Sequence, residues 1–189
     1  MKLLVLTYYL LNLIILQNNP IVSINKLPLK TVQGKPFVFS INASQKATVI
    51  MFISPQCPLC QSYSLTINQL YQQYAKEQIR FVAIIPGKSF TQLEISTFKN
   101  KYKMQNIEFY IDEELQLTQR LNATITPEVF VINPKQQLIY QGRIDNWAYE
   151  LGKKRAVITE HNLKYVLENV VNDKPVIYTK TKAVGCFIE

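Results

Sequence analysis

One histidine and three cysteines among 189 residues leave the chain little material for several kinds of chemistry. A multinuclear metal site needs more ligands, and a protease-type triad would have to use the single His161. Glycine is also scarce, at five residues, and no Gly-rich phosphate loop or internal repeat occurs. Charged residues make up only 18%, against 48% hydrophobic, which excludes a disordered or low-complexity chain and leaves enough apolar surface for a core. The formal charge of +8 comes from 21 Lys and Arg against 13 Asp and Glu. These cations are scattered, the longest run being Lys153-Lys154-Arg155, so they describe a solvated basic surface and no nucleic-acid site is expected. Thiol chemistry is what remains.

Long apolar runs are confined to the N-terminus and a few short interior stretches. Lys2 precedes a mostly apolar stretch over 3–16, after which Gln17-Asn18-Asn19-Pro20 turns polar. Residues 1–19 are expected to be a signal peptide or N-terminal anchor, the run being shorter than the roughly 20 apolar residues that cross a bilayer. The chain is then exported, to a periplasm or the outer face of the cytoplasmic membrane, with residues 3–16 available as a membrane tether. Disulfides persist in such compartments.

Residues 20–172 are expected to form one domain. Pro20, Pro28 and Gly34 mark 20–35 as an irregular entry, and 37–39 is a short strand candidate. The run Thr48-Val49-Ile50-Met51-Phe52-Ile53 suits a strand buried on both faces. Apolar positions Tyr63, Leu65, Ile67, Leu70 and Tyr74 predict a helix over 58–76. A strand at 80–85, a helix at 91–102 carrying Leu93, Ile95 and Phe98, and a strand at 107–111 follow. Asp112-Glu113-Glu114 would supply the acidic first turn of a helix running to Leu121. Strands at 128–132 and 138–141 flank Asn133-Pro134-Lys135-Gln136 as a hairpin. Thr159 is a candidate cap for a last helix lined by Leu163, Val166 and Leu167. The order predicts an α/β fold with a central mixed sheet and helices on both faces. The end of the tail 173–189, through Gly185-Cys186-Phe187-Ile188, is apolar enough to dock on the domain.

Cys57-Pro58-Leu59-Cys60 follows the buried strand and opens the first helix. Free amides and the dipole at a helix N-terminus favour an anion, so Cys57 is the candidate attacking thiolate. Cys60, one turn on, can resolve the mixed disulfide. Pro58 needs no amide hydrogen at the first helical position and stiffens the turn. A lone C-x-x-C is also compatible with a zinc half-site or a structural disulfide; zinc would have to recruit Cys186 and His161 from far along the chain.

With this motif and Thr126-Pro127-Glu128-Val129-Phe130-Val131-Ile132 about 70 residues later, residues 48–142 resemble the thioredoxin-like redoxins. The likeness is strongest to exported TlpA-like thiol-disulfide oxidoreductases with an AhpC/TSA-like redoxin domain. The resemblance implies a thioredoxin-like fold and catalytic residues Cys57 and Cys60. It also implies a cis peptide bond before Pro127, and a substrate site formed by Thr126, Pro127 and Pro58, with the Thr126 backbone pairing with a substrate strand. Its partners would be disulfide-bearing exported proteins and a redox partner thiol protein, with no cofactor. Three positions depart from the pattern. Met51 replaces a buried Asp frequent in thioredoxins, Tyr63 stands where some TlpA-like proteins have Glu, and Gln56 replaces an aromatic before the first Cys. Glu128 is therefore an accessory candidate as a base for Cys60. Leu59 brings no charge to stabilise a thiolate, which predicts a reductant-leaning protein.

Cys186 is a second accessory candidate, as a redox partner of Cys57 or as an inert apolar side chain. Trp147 and Tyr149 are expected to be packing residues. Two other functions use the same scaffold. A peroxiredoxin-like peroxidase would use Ser54, three residues before Cys57, and Arg143, although Ile50 stands where that pattern has Pro. A copper-delivery module would space its cysteines by three and add a distal His, whereas the spacing is two and His161 is expected in the first turn of the last helix.

Overall fold

The computed structural model describes residues 20–189; residues 1–19, expected to be a signal peptide or N-terminal anchor, lie outside them. Side-chain alternation along one central strand sets the layers. In β3 (Ala47–Phe52) every residue is buried. Val49 and Met51 pack into one core while Ile50 and Phe52 pack into another, as successive residues of a strand must.

Around β3 the chain forms β1 (Leu27–Thr31), β2 (Pro36–Phe39), β4 (Ile79–Pro86), β5 (Glu108–Asp112), β6 (Ile125–Thr126), β7 (Glu128–Ile132) and β8 (Leu138–Gly142). The helices are α1 (Pro58–Tyr74), α2 (Gln92–Lys101), α3 (Gln116–Leu121) and α4 (Asn162–Val171). Short pieces complete it: β9 (Ala148–Glu150), β10 (Lys153–Lys154), β11 (Thr179–Lys180) and β12 (Cys186–Phe187). The main sheet runs β11-β8-β7-β3-β4-β5-β1-β2. Its centre β3-β4-β5 is parallel, while β7 and β8 on one side and β1 and β2 on the other are antiparallel. The sheet is mixed, as its pattern predicts. Cys60, Tyr63, Ile67 and Leu70 of α1, Ile95 and Phe98 of α2, and Leu163 and Leu167 of α4 pack on one face; Leu117 and Leu121 of α3 pack on the other. Among the described residues, no helix is long and apolar enough to cross a membrane.

Four local expectations give way. Segment 20–35 contains β1, whose Leu27 and Leu29 alternate inward and which returns through Gly34, at φ +76°, to pair with β2. The turn before α3 is also misplaced: Asp112 ends β5, and its buried Oδ2 accepts from Thr118 N at 2.7 Å and Thr118 Oγ1 at 2.8 Å, so α3 starts only at Gln116. Thr159 does not cap α4. It bonds Asn146 instead, and His161 occupies the N-cap position without a side-chain cap bond. Leu65 and Leu93 lie on the helices but face out, 67% and 75% exposed, because the buried stripes run through Tyr63-Ile67-Leu70 and Ile95-Phe98.

Candidate active site

The buried strand β3 ends at Phe52, and Ser54 to Gln56 turn the chain so that Cys57 becomes the N-cap residue of the 17-residue α1, with Pro58 at its start. Cys57 N donates to Ser54 O at 3.1 Å and Cys57 O accepts from Gln61 N at 3.1 Å. The Cys57 side chain therefore sits over the open amides of the first helical turn, where the dipole favours negative charge. Cys60 is fully buried one turn on, its Sγ accepting from Ser54 N at 3.5 Å.

Three thiols meet here. Cys186 Sγ stands 2.6 Å from Cys57 Sγ, although the two residues lie in elements far apart in the chain. The Cys57 thiol is lowered to about 5: a hydrogen bond from Cys60 is the largest cause, burial opposes it, and a hydrogen bond from Cys186 adds to it. The donors are correspondingly held protonated. Burial and the neighbouring Cys57 push Cys60 well above its ordinary value and Cys186 up to about 12. One contact works the other way. Thr126 O lies 3.0 Å from Cys57 Sγ, which suits a thiol and repels a thiolate, so the two thiol donors and the helix terminus must outweigh it.

Thr126 precedes Pro127 through a cis peptide bond and forms β6 with Ile125. With Ser54, Gln56, Cys57, Cys186 and Phe187 it lines a cleft of about 280 Å³. Pro58, exposed at the helix start, and Pro127 are not among its lining residues. Cys57 itself is only 2% exposed.

Other candidates lie elsewhere. Glu128 is buried in β7 on the face of Phe130 and Ile132, whereas Cys60 packs with Val129 and Val131 on the opposite face. Its carboxylate accepts from Gln141 Nε2 at 3.0 Å and Thr124 N at 3.2 Å. Strand parity thus removes Glu128 as a base for Cys60. Tyr63 does not replace the missing carboxylate either: its hydroxyl donates to Asp145 Oδ1 at 2.8 Å and accepts from Ala148 N, and burial raises its pKa. Trp147 packs edge-on against Tyr63, and Tyr149 is half exposed under Arg155. Arg143 is tied to Asn162 and Glu160 at the start of α4 and does not line the cleft. Exposed His161 borders a separate depression beside α4. Among the described residues no group of three or more His, Cys, Asp or Glu is arranged to hold a metal ion.

The position of Cys186 over Cys57 has no sequence signal beyond the apolar Gly185-Cys186-Phe187-Ile188 stretch near the end of the tail.

The fold recurs in solved structures. A hypothetical protein from Sinorhizobium meliloti 1021 is 21% identical, with a TM-score of 0.75 over 90% of this chain and 95% of that one. An uncharacterized conserved protein from Geobacillus kaustophilus is 20% identical, with a TM-score of 0.76 over 90% and 92%. A secreted Mycobacterium tuberculosis disulfide oxidoreductase, homologous to E. coli DsbE, is 17% identical, with a TM-score of 0.53 over 78% and 96%. No curated protein sequence matches the chain. The sequence pattern of the AhpC/TSA family matches residues 23–141, which hold β1 to β7, all but the last residue of β8, Cys57, Cys60 and the Thr126-Pro127 turn. The chain therefore belongs to the AhpC/TSA family, as a redoxin of thioredoxin-like fold.

Proposed function

We propose that the chain is a thiol-disulfide oxidoreductase acting on exported, disulfide-bearing proteins. The Cys57 thiolate attacks a client disulfide; an S–S bond forms to Cys57 and one client sulfur leaves with the electron pair. Cys60 then gives up its proton and attacks Cys57 Sγ, releasing the second client thiol and leaving a Cys57–Cys60 disulfide. A reducing thiol protein outside the cytosol restores the pair. The observation that carries this reading is the placement of Cys57 at the N-cap of α1, one turn from the buried Cys60, a setting that lowers the Cys57 thiol and keeps Cys60 protonated.

The client-facing edge is assigned to Thr126, which lines the cleft, with Pro127 next to it in the chain and Pro58 next to Cys57. Export rests on the 1–19 leader and on the secreted M. tuberculosis neighbour. The direction of exchange is a balance. Leu59 brings no charge, which favours a reductant, while the thiol donors stabilise the reduced form and draw the potential upward. The peroxidase alternative keeps Ser54 beside Cys57 but lacks Arg143 there, and copper delivery lacks His161 there.

Insulin reduction by the full chain, with wild type, Cys57→Ser and Cys60→Ser compared, tests the proposal. Cys57→Ser should abolish turnover, and Cys60→Ser, with Cys186 also changed to Ser so that no other thiol can resolve Cys57, should accumulate a mixed disulfide with insulin. Peroxide consumption without insulin turnover would reverse it.

A further inference from the structure

The family match ends at residue 141, so the tail and Cys186 lie outside it. That tail is built onto the domain at two places. β11 pairs parallel with β8, and Thr181 closes the junction, with its N donating to Gln141 O at 2.9 Å and its Oγ1 accepting from Arg143 N at 3.1 Å. Five residues later β12 pairs antiparallel with β6, Cys186 opposite Thr126 and Phe187 opposite Ile125. Ile188 N donates to Thr124 O at 2.9 Å. Among the described residues β12 is the only strand paired with β6.

Gly185 explains how close the strand can come, because a Cβ there would collide with the carbonyl oxygen of Thr126. The result is a cysteine delivered to the nucleophile, its Sγ 2.6 Å from Cys57 Sγ, between an S–S bond of about 2.0 Å and an ordinary non-bonded contact. The same strand, with Ile188 and Glu189 after it, forms part of the cleft wall, and Cys57 is 2% exposed.

We propose that Cys186 is a third redox cysteine carried on a tethered substrate strand, which occupies the client edge of β6 and forms a reversible internal disulfide with Cys57. This rests on the thiol-disulfide reading of the same site. From the Cys57–Cys60 disulfide, the Cys186 thiolate attacks Cys57 Sγ. The Cys57–Cys186 bond forms, the Cys57–Cys60 bond breaks, and Cys60 takes the electron pair and the proton that Cys186 lost. No net electrons move, so the step is an exchange between two isomers of the oxidised protein. A client reaches Cys57 by displacing β12.

The experiment oxidises full-length Cys60→Ser protein, at high dilution, with one equivalent of diamide, which accepts the two electrons and two protons. Peptides are then mapped without reduction. The expected product is a monomer whose Cys57 and Cys186 peptides are linked. In Cys60→Ser/Gly185→Val, where the added side chain forces β12 off β6, that linked peptide should fall at least tenfold. Persistence of two free thiols in Cys60→Ser, linkage only between molecules, or an undiminished link in the Gly185→Val background would overturn the proposal. Wild type treated with half an equivalent carries the same test should Cys60→Ser not fold, since the Cys57–Cys186 peptide must then appear beside Cys57–Cys60. An internal link without insulin turnover would remove the client reading and keep this bond; insulin turnover without the link would do the reverse.

Discussion

The carbonyl oxygen of Thr126 lies 3.0 Å from Cys57 Sγ. This distance places the nucleophile beside the strand edge on which an extended chain can pair, so whatever pairs with β6 is presented to Cys57. In the described structure that chain is the protein's own C-terminal strand.

Cys186→Ala removes a hydrogen-bond donor from the Cys57 thiolate, so the Cys57 pKa should rise from about 5. The reduced form is then less stabilised, and the potential of the Cys57–Cys60 pair should become more negative, by about 30 mV for each pKa unit regained below neutrality. Equilibration with glutathione reads this shift. An unchanged or more positive potential would show that Cys186 does not support the thiolate. A wild-type value more negative than about −150 mV keeps the reductive direction, and a higher one reverses it.

Tyr63→Phe tests whether Tyr63 has taken over the role of a carboxylate. Its hydroxyl bonds Asp145 Oδ1 and Ala148 N, both away from the cysteines. Removing it leaves a buried carboxylate short of a donor, at a cost of about 1–3 kcal/mol. Urea unfolding should record that loss while the pH profile of Cys57 alkylation stays in place. A displaced profile would mean that Tyr63 acts on the thiols.

Glu128→Gln addresses the other base candidate. A general base contributes roughly 10²–10⁴-fold, whereas a residue on the opposite face of the sheet should change resolution of the mixed disulfide by less than about twofold. Stopped-flow measurement of that step decides the matter, and a tenfold loss would restore Glu128 to the mechanism.

Much of this architecture is legible in the sequence because burial on both faces writes a continuous apolar run, as in β3, and a one-sided helix writes a stripe, as in α1. β1 escapes that logic. Pro28 reads as a breaker, yet it is tolerated because β5 pairs only with Lys30 and Thr31, leaving that side of β1 unpaired at Pro28. α3 escapes it too, since six residues bounded by left-handed Leu115 and Asn122 are too short to show a period. The Cys57-Pro58-Leu59-Cys60 junction could be placed from local signals alone. The approach of Cys186 could not, because a two-residue ladder has no periodicity and its closeness depends on a missing Cβ at Gly185.

The most direct test is the rate of Cys57 carboxymethylation in the reduced full chain, followed peptide by peptide from about pH 4 to about pH 9. The midpoint should lie near pH 5, from the value of about 5 set by the Cys60 and Cys186 donors, with Cys60 unreactive throughout. A midpoint near the ordinary thiol value of about 8.5, or a Cys57 that does not react at all, would contradict it.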